Sequence, residues 1–138
     1  MSLTQEQKNI ALQLLIEKSC RNLDQAVKVA ELGYWDLVAN RLYYSIFHAV
    51  TALMLFDGIQ TKSHKGTSAQ FGKYYILTGR FPREAGILYS RLQTMREKAD
   101  YQNVFILPEE EGVILIEEVK MLQASIIEEC KGGLKPKD

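Results

Sequence analysis

An all-α fold, an antiparallel up-and-down bundle of four to five helices, is what this sequence predicts, and three observations predict it. Apolar residues recur at intervals of three and four along almost the whole chain, while period-two alternation is scarce. The breaks between periodic segments are short and carry residues that end or start helices: Gly33, Asp57-Gly58, Gly79 with Pro82, Pro108, and Gly132-Gly133. The 138 residues are 46% hydrophobic and 25% charged, the mixture of one globular domain spanning 1–138 that can fold without a disulfide or a metal.

The first helix is expected over Thr4 to Leu32. Leu12, Ile16, Ser19, Leu23, Ala26 and Ala30 form its apolar stripe, while Lys18, Arg21 and Asp24 fall off it. Thr4 and Gln7 have capping-box spacing, and Gly33 is the stop. The second helix, Tyr34 to Phe56, is apolar around much of its circumference and so belongs at the centre of the bundle. A third is expected from His64 to Leu77 with Ser63 as its N-cap. Pro82 opens a fourth that ends near Gln102 or Asn103. Pro108 precedes a fifth, whose Glu109, Glu110 and Glu111 suit the positive end of the helix dipole. Residues 131–138 read as a frayed tail.

Composition narrows function. Seventeen basic residues balance seventeen acidic ones, which argues against a general polyanion binder but leaves room for a local basic site. No apolar run approaches the ~20 residues of a membrane span, and the N-terminal residues contain no signal-peptide core, so a cytoplasmic protein with no membrane partner is expected. Cys20 and Cys130 are lone thiols. HExxH, Walker, Rossmann and GxSxG signatures are absent, and two histidines with two distant cysteines offer no zinc site; neither metal nor cofactor is expected.

The second helix carries the densest polar set. Arg41, Tyr44 and His48 are spaced three and then four, so Arg41 and His48 lie within ~20° on the helical wheel and about 10.5 Å apart along the axis. A cation, a phenol and an imidazole thus share one face of an apolar helix. Two readings are open: a polar network that fixes packing, or a pocket for an anion, nucleotide or phosphodiester. Buried without a partner, Arg41 would be costly, so a carboxylate or phosphate should accompany it. His64 and Lys65 gather at the start of the third helix, where free N–H groups suit an anion as well as a solvated cap. Arg96 and Asp100 are four apart, and either form an exposed ion pair or poise the guanidinium for a phosphate.

Taken in order, Arg41-Leu42-Tyr43-Tyr44-Ser45-Ile46-Phe47-His48-Ala49, then Ser63-His64-Lys65-Gly66 with Phe71 downstream, then Arg96-Glu97-Lys98-Ala99-Asp100-Tyr101, the chain resembles the HEPN family (higher eukaryotes and prokaryotes nucleotide-binding). It is most similar to the small stand-alone prokaryotic branch, over about residues 8–128. The resemblance implies a homodimer of helical bundles and a minimal nucleotidyltransferase as partner, in a toxin–antitoxin arrangement. Active members of the wider family are metal-independent RNA endonucleases. Their motif is an Arg and a His separated by four to six residues, and it meets its counterpart across the dimer. In that chemistry the His handles the 2′-hydroxyl or leaving oxygen and the Arg stabilises phosphorane charge. Arg41 and His48 have the spacing and are the expected catalytic pair. In the later helix that carries the motif in active members, this chain has Arg96 followed by Tyr101-Gln102-Asn103 rather than a His.

Three functions compete. One is a binding protein for nucleotide or RNA phosphate, with Tyr44, His64, Lys65, Arg96, Asp100 and Tyr101 as ligand contacts and a nucleotidyltransferase as partner. Another is a ribonuclease toxin with His48 or His64 as acid/base. The last is a helical adaptor without a ligand. The first two need the polar groups of the second and fourth helices to converge on one water-accessible hollow.

Overall fold

The structure is a computed structural model that describes residues 3–101 and 105–132. It is all-helical, with five α-helices and no strand among those residues: α1 (Gln5–Glu31), α2 (Trp35–Asp57), α3 (His64–Phe71), α4 (Arg83–Tyr101) and α5 (Glu109–Gly132). The expected tail beyond residue 132 and the expected end of α4 at Gln102 or Asn103 lie outside the described residues.

Local chemistry sets the helix ends. At the start of α1, Thr4 Oγ1 accepts from Gln7 N–H and Gln7 Oε1 accepts from Thr4 N–H, so the capping box closes in both directions. α2 stops at Gly58, whose φ of 78° is a left-handed conformation that suits a residue without Cβ. There Gly58 N–H and Ile59 N–H take the last carbonyls, Leu55 O and Met54 O. Ser63 Oγ caps α3 by accepting from Gly66 N–H.

α3 differs from the sequence expectation. It ends at Phe71 and passes into a π-helical turn over Gly72–Ile76, closed by Leu77 N–H donating to Gly72 O at 2.9 Å. Two anchors account for the early end. Tyr75 is buried and donates its hydroxyl to Asp57 Oδ2 at 2.6 Å, while its carbonyl accepts from Phe81 N–H at 2.8 Å. The chain is therefore turned toward α4, and Leu77 is left exposed.

Cross-helix bonds give the directions. Lys8 Nζ donates to Phe56 O and Arg41 donates to Gln25, so α1 and α2 run antiparallel. Trp35 lies against Gly112, and Gln123 meets Ser45, so α5 runs parallel to α2. Tyr89 packs on Tyr43, and Arg80, just before α4, binds Asp57 at the far end of α2, so α4 opposes α2. The four long helices thus go up, down, up, down, with α3 in the α2–α4 link. α2 contacts all the others, as its apolar circumference requires. No helix among the described residues is long and apolar enough to cross a membrane.

The core contains one polar clamp. Ser19 Oγ donates to Ser45 O at 2.7 Å, and Ser45 Oγ donates to Ser19 O at 3.0 Å. Gln123 of α5 adds its amide to both hydroxyls, at 3.1 and 3.3 Å. All three residues are buried, so these partners keep their polar atoms satisfied away from water.

Two substitutions test this packing. Gly112→Ala should gain up to ~1 kcal/mol in helix propensity, but its Cβ would sit 2.4 Å from Trp35 Cζ3. The clash should prevail, with a net loss of about 1–3 kcal/mol in urea unfolding. Ser45→Ala removes a donor to Ser19 O and an acceptor for Gln123, and should cost about 1–3 kcal/mol by the same measurement. Unchanged midpoints would refute the packing description.

Candidate functional site

Because α1 and α2 pair antiparallel, residues 18–25 of one helix lie beside residues 41–48 of the other. Between them is an open concavity of about 340 Å³. Lys18, Arg21 and Gln25 contribute from α1, and Arg41, Tyr44 and His48 from α2. Its lining holds three fixed cations and no carboxylate.

Arg41 is half-buried. Its guanidinium donates to Asn40 Oδ1 through Nε and Nη2 and to Gln25 Oε1 through Nη1, and lies 5.6 Å from the Tyr44 ring centre. The carboxylate partner expected for it is absent among the described residues; neutral amides orient the guanidinium without cancelling its charge. Tyr44 in turn is 6.0 Å from His48, centre to centre. Burial, together with Lys18 and Arg41, lowers the pKa of His48 below its usual value, so the imidazole is neutral at pH 7. Asn22, also in the lining, donates its amide N–H to Lys18 O, while its Oδ1 is buried without a hydrogen-bond partner among the described residues.

A second polar cluster lies on the other side of Tyr44. His64, the first residue of α3, stacks on Phe47 at 4.2 Å and contacts Tyr43 Oη through Nδ1 at 2.6 Å. Burial pushes the Tyr43 phenol up to about 12, and burial with nearby Arg96 lowers the pKa of His64. A phenol that keeps its proton and an imidazole that resists one assign the donation to Tyr43. Arg96 of α4 covers the same Tyr43 ring at 4.9 Å and pairs with Asp100 at 3.5 Å. Its side chain is only 13% exposed, so the pair is not the solvated surface bridge that its spacing also allowed.

The expected single hollow is therefore two adjoining clusters. Arg41, Tyr44 and His48 line the concavity; His64 and Arg96 are held by Tyr43 outside its lining, and Asp100 pairs with Arg96. Tyr44 and Phe47 join them, since Tyr44 is 5.9 Å from His64 and Phe47 is 5.6 Å from His48. Lys65 and Tyr101 are exposed, and no hydrogen bond or ion pair among the described residues ties them to either cluster. Sequence reasoning missed Tyr43 and Phe47 as organisers and Lys18, Arg21 and Asn22 as contributors. Lys18, Arg21 and Gln25 do recur at three and four, but on α1 alone that pattern is indistinguishable from a solvated face.

Comparison with known proteins agrees with this architecture. Residues 12–129 match the HEPN domain family. A candidate toxin of Methanocaldococcus jannaschii is 34% identical over 125 residues, which cover 90% of this chain and 89% of the relative. A second candidate toxin of the same organism is 30% identical over 105 residues, covering 76% and 71%. A UPF0332 protein of Thermotoga maritima is 35% identical over 88 residues, covering 64% and 67%. With a family match over most of its length and relatives of this identity and coverage, the chain belongs to the HEPN domain family.

Proposed function

We propose that this protein is a toxin-type HEPN protein that binds the phosphate of RNA or of a nucleotide in the α1–α2 concavity. On this reading it works as a homodimer beside a minimal nucleotidyltransferase. The observation that carries the proposal is local charge segregation. In a chain of zero formal net charge, Lys18, Arg21 and Arg41 converge without a carboxylate in the lining. Such a hollow attracts anions, and a guanidinium held by neutral amides is preorganised for phosphate. The names of the two M. jannaschii relatives support the toxin context.

Fluorescence anisotropy with a labelled single-stranded RNA tests this. Arg41→Ala should weaken binding roughly 10- to 100-fold, the loss expected for a charge-assisted contact. It should also flatten the salt dependence by about 0.7 in log–log slope. Lys120→Ala, on α5 beside Glu117, should leave both unchanged. Binding should strengthen as pH falls below 6.5, because the free site holds His48 below that value and a bound phosphate favours its protonated form. Equal affinity for wild type and Arg41→Ala would refute the proposal.

One observation favours a second reading, in which the site also cleaves RNA: His48 is a neutral imidazole in a hollow it shares with Arg41. Total RNA incubated with the protein in EDTA should then be cut, with cleavage lost in both His48→Ala and Arg41→Ala. Intact RNA with the wild type would eliminate this reading and leave the binding proposal standing.

A further inference from the structure

α5 carries a second seam on the side away from the core. Leu115, Val119, Leu122 and Ile126 are buried in the bundle. On the opposite side of the same helix, Glu110, Ile114, Glu117, Met121, Ala124 and Glu128 recur at four and three. They lie within about 40° of one line and are all exposed. Such spacing, 3.5 residues on average, is that of a coiled-coil seam. Ile114 and Met121 take one of its two repeated positions, and Glu110 and Glu117 the other. Ile114 is 61% exposed and Met121 75%, with Val113 beside them at 53%. Folding does not require apolar side chains there, since the bundle is built on the other face. The acids between them set the charge of what covers them. Glu110 and Glu118 stand four residues to either side of Ile114, and neither has an ion pair among the described residues. Glu117 has only Lys120, in an exposed bridge of little worth. Carboxylates so placed attract cations and repel phosphate.

A second copy of the chain offers no matching surface. Two α5 helices in parallel would set Glu117 against Glu117, and antiparallel they would pack carboxylates on Ile114 and Met121. The exposed Ile10 and Leu14 of α1 sit between Glu6 and Glu17, so acid would again meet acid. On α4 the exposed large apolar residues are Ile87 and Tyr101, fourteen positions apart. That is twice the interval from Ile114 to Met121, so α4 could meet only one of the two. From the apolar spacing and the unbalanced acid together, we infer that the outward face of α5 docks a helix of a different protein. That helix carries apolar residues seven apart, with Lys or Arg at the positions between them. The seam from Glu110 to Glu128 runs about 27 Å, which suits a partner helix of about five turns. No α5 residue lines the α1–α2 hollow, so the docking surface is separate from the phosphate site and does not rest on it.

Isothermal titration of the whole chain with synthetic helical peptides of about three heptads tests this. The first peptide has Leu at every seventh position and Lys at the positions that meet Glu110, Glu117 and Glu118. The second replaces its Lys by Glu, and the third replaces its Leu by Ser. The Lys–Leu peptide should bind, and the other two should bind at least about tenfold more weakly. The chain with both Ile114→Ser and Met121→Ser should lose about tenfold or more in affinity for the Lys–Leu peptide. Glu118→Lys should lose a similar factor at low salt and less at high salt. Glu84→Lys, at an exposed acid of α4, should bind as the wild type does. A circular dichroism melt accompanies each variant, and Met121→Ser alone replaces the double variant if the latter fails to fold. The double variant should keep its affinity for single-stranded RNA and, by light scattering, the mass of the wild type. Absence of binding by the Lys–Leu peptide, or equal binding to wild type and double variant, would overturn the inference. Equal binding of the Leu and Ser peptides would reduce the face to bare charge and overturn it too. A smaller mass for the double variant would make a second copy the occupant, and a loss of RNA affinity would make it RNA; either overturns the inference.

Discussion

The reciprocal bonds between Ser19 and Ser45 hold α1 and α2 in a single antiparallel register, and Gln123 locks that register to α5. Each serine donates to the backbone carbonyl of the other, so sliding one helix past its neighbour would leave two buried hydroxyl donors without acceptors. The functional surface follows from this constraint. Only in this register do Lys18 and Arg21 stand beside Arg41, Tyr44 and His48, because one turn of slip would move the α1 cations about 5.4 Å along α2. Serine suits the contact because its small side chain lets the helices approach, and its hydroxyl serves as both donor and acceptor.

Charge placement, not total charge, gives the molecule its polarity. Much of the acid lies on α5 and in surface pairs such as Arg91–Glu111 and Arg80–Glu129. The α1–α2 hollow has none of it. Its imidazole stays neutral because partial burial, and then the cations that attract anions, disfavour a further positive charge. Tyr43 organises the second cluster, on the other side of Tyr44. It spends its ring on Arg96 and its hydroxyl on His64, tying α2, α3 and α4 together while Tyr44, one residue on, faces the open side.

Much of the fold was legible in the sequence because it depends on local chemistry. Thr4 with Gln7, Ser63 and Gly58 each mark a helix end within a few residues of chain, and each does so in the structure. Arg41, Tyr44 and His48 were legible as a shared face because helical periodicity alone puts them there. What could not be read depends on contacts between distant segments. The α1 cations are exposed in the structure too, and only the pairing of α1 with α2 sets them beside Arg41 and His48. The early end of α3 depends on Asp57 and Phe81 gripping Tyr75. The burial of Arg96 depends on the Tyr43 ring, fifty-three positions away. Spacing revealed the Arg96–Asp100 pair but carried no information about what would cover it.

The most direct test follows the two histidine rings by NMR as a short single-stranded RNA is added. Their environments differ: His48 faces the cationic hollow, whereas His64 is tied to Tyr43 and stacked on Phe47. The account predicts that the His48 resonances shift and that its pKa rises as phosphate partly offsets Lys18 and Arg41, while His64 changes much less. A silent His48 with a responsive His64 would place the ligand on the other side of Tyr44 and contradict the account.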